Sequence, residues 1–215
     1  MIVNSNDDKL NTQEKIHLGI EACLQLIPNI GGAIATSFYG YQKEKKLKRI
    51  ESFYNELQEE LTTLKTSLQD SATVPDMDEL LRIIEDLNEK VEREHIKEKQ
   101  NYFKTYFINN ILHPNQVNYD DKKFFLDTLA NMTLVECNSI LYLYTKDYGV
   151  IIDNVASGTT NKFQKLGAMH RLESYGFIEM TDVDVKDFSD NYYTSKYVSI
   201  TNYGKKFVNF CLQHY

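Results

Sequence analysis

The chain has 215 residues, 42% hydrophobic and 26% charged, a balance that excludes wholesale disorder and leaves room for one large or two small domains. A formal net charge of -7 opposes non-specific adhesion to nucleic acid or anionic lipid, without excluding a local basic patch. Only 3 prolines and 9 glycines stand beside 15 tyrosines and 11 phenylalanines, so few loops and long helices are expected.

Residues 1–11 read as a polar tail. Met1 opens onto polar residues of mixed charge rather than a basic-then-apolar signal. Cys23, Cys137 and Cys211 are scattered among apolar neighbours, as expected of reduced thiols in a cytoplasmic protein. From Thr12 as N-cap, Ile16, Ile20, Cys23, Leu24 and Ile27 recur with helical period. Pro28 and Gly31-Gly32 interrupt that helix, and a second starts near Ala33. Residues 22–42 carry no charge, and Lys43, Lys45, Lys46, Lys48 and Arg49 follow. A hairpin buried in the protein accounts for these features; a membrane-inserting hairpin carried by Ile27, Ile30, Ile34 and Phe38 is the competing reading. The breaks, together with Gln25, Asn29, Thr36 and Ser37, favour the buried one.

Leu47, Ile50, Tyr54, Leu57, Leu61, Leu64 and Leu68 alternate spacings of 3 and 4, an a/d heptad seam flanked by Glu and Lys. A polar turn over 70–76 leads to a return helix, with Asp76 or Asp78 as cap and Leu80, Ile84, Leu87 and Val91 available to zip antiparallel onto the seam. The seam is also the expected surface for self-association or for another protein. Residues 92–101 are almost wholly polar and are expected to be solvated on most sides, before apolar character returns at Tyr102, Phe103, Tyr106, Phe107 and Ile111. His113-Pro114 ends the helix. The first domain is thus predicted over 12–114.

A second domain is predicted over 115–215. Helices are expected over 120–129 and 133–144, a short β-like run at 148–152, and a loop over 154–160. A helix over 161–175, strands over 177–183 and 195–201, and a closing helix over 203–212 complete it. The fold class is therefore mainly α: a helical hairpin with an antiparallel coiled coil, followed by a small α/β domain.

Leu172, Gly176, Phe177 and Ile178 resemble the end of a winged-helix recognition helix turning into the first wing strand, with Gly176 as the left-handed cap. Val198 to Gly204, followed by Phe207, resembles the second wing strand and closing helix, with Thr201 as N-cap. The resemblance implies a nucleic-acid face at Lys162, Lys165, His170 and Arg171. It departs from the family at 147–160, where a clear second helix is missing, and at a wing bearing Asp182, Asp184, Asp187 and Asp190. The run from His113-Pro114 through Lys122, Phe125 and Leu129 to Leu141 also resembles abortive-infection-alpha type bacterial helical proteins, which implies a prophage or phage-defence setting.

His17, His95, His113, His170 and His214 are dispersed, with no metal-ligand spacing, and no phosphate-binding loop or nucleophile elbow is present. The expected function is therefore that of a non-catalytic interaction protein without cofactor or metal, whose partner is itself (as a homo-oligomer) or another protein. A DNA-binding transcriptional regulator is the alternative, and a membrane-acting effector using the 22–42 hairpin the third.

Overall fold

The computed structural model describes residues 38–67, 76–186 and 192–213. Ile27, Ile30, Ile34 and most of the 22–42 hairpin therefore lie outside the described residues, as does Leu68; of Phe38 only the backbone is described, at the start of a helix. The protein is mainly helical with a small antiparallel sheet, and divides into two compact units, Met1–Tyr119 and Asp120–Tyr215. Among the described residues no helix is long and apolar enough to cross a membrane.

In the first unit, α1 spans Phe38–Ser67, α2 Met77–Arg93 and α3 Lys97–Leu112. Helix α2 starts where Asp76 accepts bonds from the backbone of Asp78 (2.9 Å) and Glu79 (3.3 Å). Its acidic first turn and its Lys90 and Arg93 near the other end complement the helix dipole. Helices α1 and α2 run antiparallel. Tyr54 donates to Asn88 Oδ1 at 2.7 Å, while Arg49 reaches the Glu92 carbonyl at 2.6 Å and Lys46 the Glu92 carboxylate at 2.5 Å. Advancing along α1 thus means retreating along α2.

The seam is buried at its centre: Tyr54, Leu57 and Leu61, with the unforeseen Phe53, lie against a face that carries Leu80, Ile83, Ile84, Leu87 and Val91, all almost completely hidden. Each such aliphatic side chain contributes roughly 1.5–3 kcal/mol of burial. Of the two uses expected for the seam, the structure shows the intrachain one, zipping onto the return helix, at its centre. Tyr54, Leu57 and Leu61 are covered within their own chain, and only Leu47, Ile50 and Leu64 stay half-buried.

The polar stretch after Glu92 is exposed at Arg93 and over residues 95–98, as expected, but not along its whole length. The helix breaks at Glu94, whose carboxylate accepts from the Ile96 backbone (2.8 Å) and pairs with Lys99 (2.8 Å). Lys99 and Gln100 are buried rather than solvated. One turn later, Lys104 bridges α3 to α1 through Glu56 (3.2 Å) and Glu60, and Lys97 also holds Glu56. Burial alone would raise the Glu56 pKa, but the hydrogen bonds from Lys97 and Lys104 outweigh it and keep this carboxyl below its usual range.

In the second unit, α4 (Tyr119–Asn131) and α5 (Leu134–Tyr144) are separated at Met132-Thr133. Thr133 caps α5 in a reciprocal box with Glu136. Strand β1 (Val150–Ile151) and a single 3-10 turn (Ile152–Asn154) lead to α6 (Lys162–Ser174). A hairpin of β2 (Ile178–Lys186) and β3 (Tyr192–Ile200) follows, then α7 (Asn202–Phe207), which continues as a π-helical turn, Val208–Leu212. The sheet order is β1-β3-β2, antiparallel throughout, with Val150 opposite Val198 and Ile178 opposite Ile200. On the hairpin, Asp182 is paired with Lys196 at 2.5 Å; Asp187 and Asp190 lie outside the described residues.

An aromatic cluster forms the core of this unit. Phe177 stacks on Phe207 with centroids 4.3 Å apart, and Phe125 meets Phe207 edge-on at 5.3 Å. Two glycines make that packing reachable. Gly176, at φ +75°, ends α6 by returning its own N–H to the Glu173 carbonyl (2.8 Å) and that of Phe177 to Leu172 (3.0 Å). Gly204 lets α7 approach the backbone of Phe177; a Cβ there would lie 2.1 Å from the Phe177 carbonyl oxygen. Thr201 caps α7 by accepting from the Gly204 backbone at 2.9 Å.

Candidate functional site

Helix α6 carries the residues singled out for nucleic-acid contact. Asn161 caps it, accepting from the backbone of Phe163 (3.0 Å) and Gln164 (3.2 Å). Ala168, Met169 and Leu172 form its buried face. The opposite face holds Phe163, Gly167, His170 and Ser174, at i, i+4, i+7 and i+11, all exposed.

The four basic side chains do not gather into one surface. Lys162 and Arg171 fall on opposite sides of the helix, about 180° apart at roughly 3.6 residues per turn. Lys162 is exposed in the first turn. Lys165 lies toward the buried side and donates to the Asp153 carbonyl at 3.0 Å, which anchors the 3-10 turn to α6. His170 stands 3.5 Å from the Glu173 carboxylate.

Arg171 is the most strongly engaged. Its guanidinium donates to Glu136 Oε2 at 2.7 Å, although half of the Arg171 side chain remains exposed. Glu136 is fully buried, and the same oxygen accepts from the Thr133 backbone and hydroxyl, each at 2.7 Å. Its other oxygen, Oε1, is buried without a hydrogen-bond partner. Burial first, and then the Glu136 charge, raise the Tyr175 pKa, with Arg171 acting in the opposite direction. The contiguous basic face expected from the sequence is therefore corrected: α6 geometry disperses the charges, and the fold engages Lys165 and Arg171 internally.

Two features escaped the sequence reading. The first is Phe163, 85% exposed at the outer edge of α6. Its signal was a phenylalanine on the polar side of the helical period, between Lys162 and Gln164. The second is Glu136, whose capping box is legible as Thr133-x-x-Glu136, though its bond to Arg171 is not.

Among the described residues no cluster of His, Cys, Asp and Glu is arranged to hold a metal ion. Cys137 and Cys211 are buried and form no disulfide, and burial, reinforced by the proximity of Cys137, pushes the Cys211 thiol pKa well up. No protein-family model, curated protein or solved structure matches the chain.

Proposed function

We propose that this chain is a non-catalytic interaction protein whose second unit docks onto another protein through the outward face of α6. The observation that carries the reading is Phe163: a large apolar ring left 85% exposed on a helix whose nearest basic side chains are dispersed or internally bonded. Aromatic side chains are enriched at protein interfaces. A groove-reading helix would instead present its cations to phosphates and base edges.

The second unit is read as a winged helix with its second helix reduced to the 3-10 turn. The order of helix, strand, turn, helix, hairpin and helix, with sheet order β1-β3-β2, supports that reading. The antiparallel α1–α2 pair supports the coiled-coil reading of the first unit. The resemblance over 113–141 supports a bacterial prophage or phage-defence setting.

The test is a titration of the full chain against random duplex DNA by fluorescence anisotropy across a salt series. No binding at low salt is expected. Salt-sensitive binding that Lys162→Glu removes would replace the docking reading with a DNA-binding regulator.

A further inference from the structure

Strand β2 is an edge: the sheet order β1-β3-β2 leaves its outer side without a described neighbour. The register decides which backbone groups face that side. Thr201 donates its N–H to the Phe177 carbonyl at 2.9 Å, and these two residues stand opposite each other one step beyond the Ile178–Ile200 pair. Opposed residues in an antiparallel ladder alternate between pairs that exchange hydrogen bonds and pairs that do not. Counting in twos from Phe177, the backbones of Glu179, Thr181 and Val183 turn toward β3, and those of Met180, Asp182 and Asp184 turn outward. Glu179, Thr181, Asp182 and Asp184 are all exposed, so this edge is open beyond the buried Ile178. A row of outward N–H and C=O groups at strand spacing is a template for one more strand.

Side chains decide which strand fits. Asp182 and Asp184 lie on one face of β2; Glu179, Thr181 and Val183 lie on the other, where Tyr197 of β3 stands opposite Thr181. Residues 178–200 carry five acids against two lysines, and one of those lysines, Lys196, is held by Asp182. A second copy of β2 is a poor occupant, because antiparallel registers centred on Asp182 or Val183 set aspartate directly against aspartate. We infer that the β2 edge takes up an extended basic segment of a different protein as a fourth strand. Lys or Arg of that segment stands opposite Asp182 and Asp184, and the residues between, on the face of Thr181 and Val183, are apolar or β-branched. Backbone hydrogen bonds then supply affinity, and the alternation of charge and apolar surface supplies selectivity. This edge is a different surface from the outward face of α6, so the inference does not rest on docking there.

The test uses the full chain and a labelled hexapeptide that alternates lysine and valine, followed by fluorescence anisotropy and by amide hydrogen exchange. Binding that salt weakens is expected, at least tenfold tighter than that of the hexapeptide alternating glutamate and valine. The amide protons of Met180, Asp182 and Asp184 should exchange fast in the free chain and slow when the peptide saturates it. Those of Thr181 and Val183 should be protected in both states, because they already bond to β3. Methylating the backbone nitrogens of the lysine–valine peptide keeps its charge and should cost at least tenfold in affinity. Asp182→Lys combined with Asp184→Lys should turn the preference toward the glutamate–valine peptide. Three results would each overturn strand addition: a lysine–valine peptide that does not bind, equal binding of its methylated form, or binding that leaves the Asp182 and Asp184 amides unprotected.

Discussion

The Arg171 guanidinium lies 2.7 Å from Glu136 Oε2, an oxygen buried at the first turn of α5. A side chain expected to meet phosphate is thereby the counter-ion of an internal carboxylate. The pair ties α6 to the N-terminus of α5 and draws one cation away from the outward face.

Arg171→Ala should lower stability by about 1–3 kcal/mol, because it leaves a buried carboxylate without its charged partner. Adding Glu136→Gln should restore part of the loss, since the capping box survives with a neutral side chain. Urea denaturation of the two single variants and the double variant measures the coupling. Strict additivity would contradict the interaction.

The ion cluster between α1 and α3 gives stability a pH signature. The folded-state pKa of Glu56 is lowered, so its contribution is present above the ordinary carboxylate value and is lost as pH falls through the folded value. Lys104 behaves oppositely: despite burial, Glu60 and Glu56 raise its pKa. Its contribution is complete below the ordinary lysine range and disappears as pH rises through the raised value. Glu56→Gln should therefore lower the thermal midpoint at pH 7 and have little effect near pH 2. An equal loss at both pH values would show that packing, not charge, is responsible.

Two glycines should respond with opposite sign to the same substitution. Gly167→Ala should stabilise the fold by about 0.5–1 kcal/mol, since the added methyl meets only open space in a helix. Gly204→Ala should destabilise it by roughly 3 kcal/mol or more, because the Cβ collides with the Phe177 carbonyl and separates Phe207 from Phe177. Chemical denaturation of both variants checks the pair.

Leu57→Asp combined with Leu61→Asp should unfold the α1–α2 pair instead of merely separating copies. Both positions are hidden inside the chain, and each buried charge would have no partner. The expected readout is a loss of helical circular dichroism at every concentration. Retained helicity with altered oligomeric state would return the seam to an intermolecular role.

By itself the sequence determined the elements that depend on local periodicity and local caps. The seam and its return helix, a cap at Asp76 or Asp78, Thr201 as N-cap, and Gly176 as a left-handed cap follow from neighbours a few residues apart, whereas the choice of Asp76 came from the structure. Tertiary structure decided everything that depends on which distant groups meet. Only packing hides Tyr54, Leu57 and Leu61 within one chain, or buries Lys99 and Lys104 against carboxylates that make their charges tolerable. Likewise, a run of cations without an acid reads as a patch in one dimension, but a helix turns by about 100° per residue and distributes it around the axis. Arg171 then finds Glu136, a residue of another helix, and Phe163 is what the outward face displays.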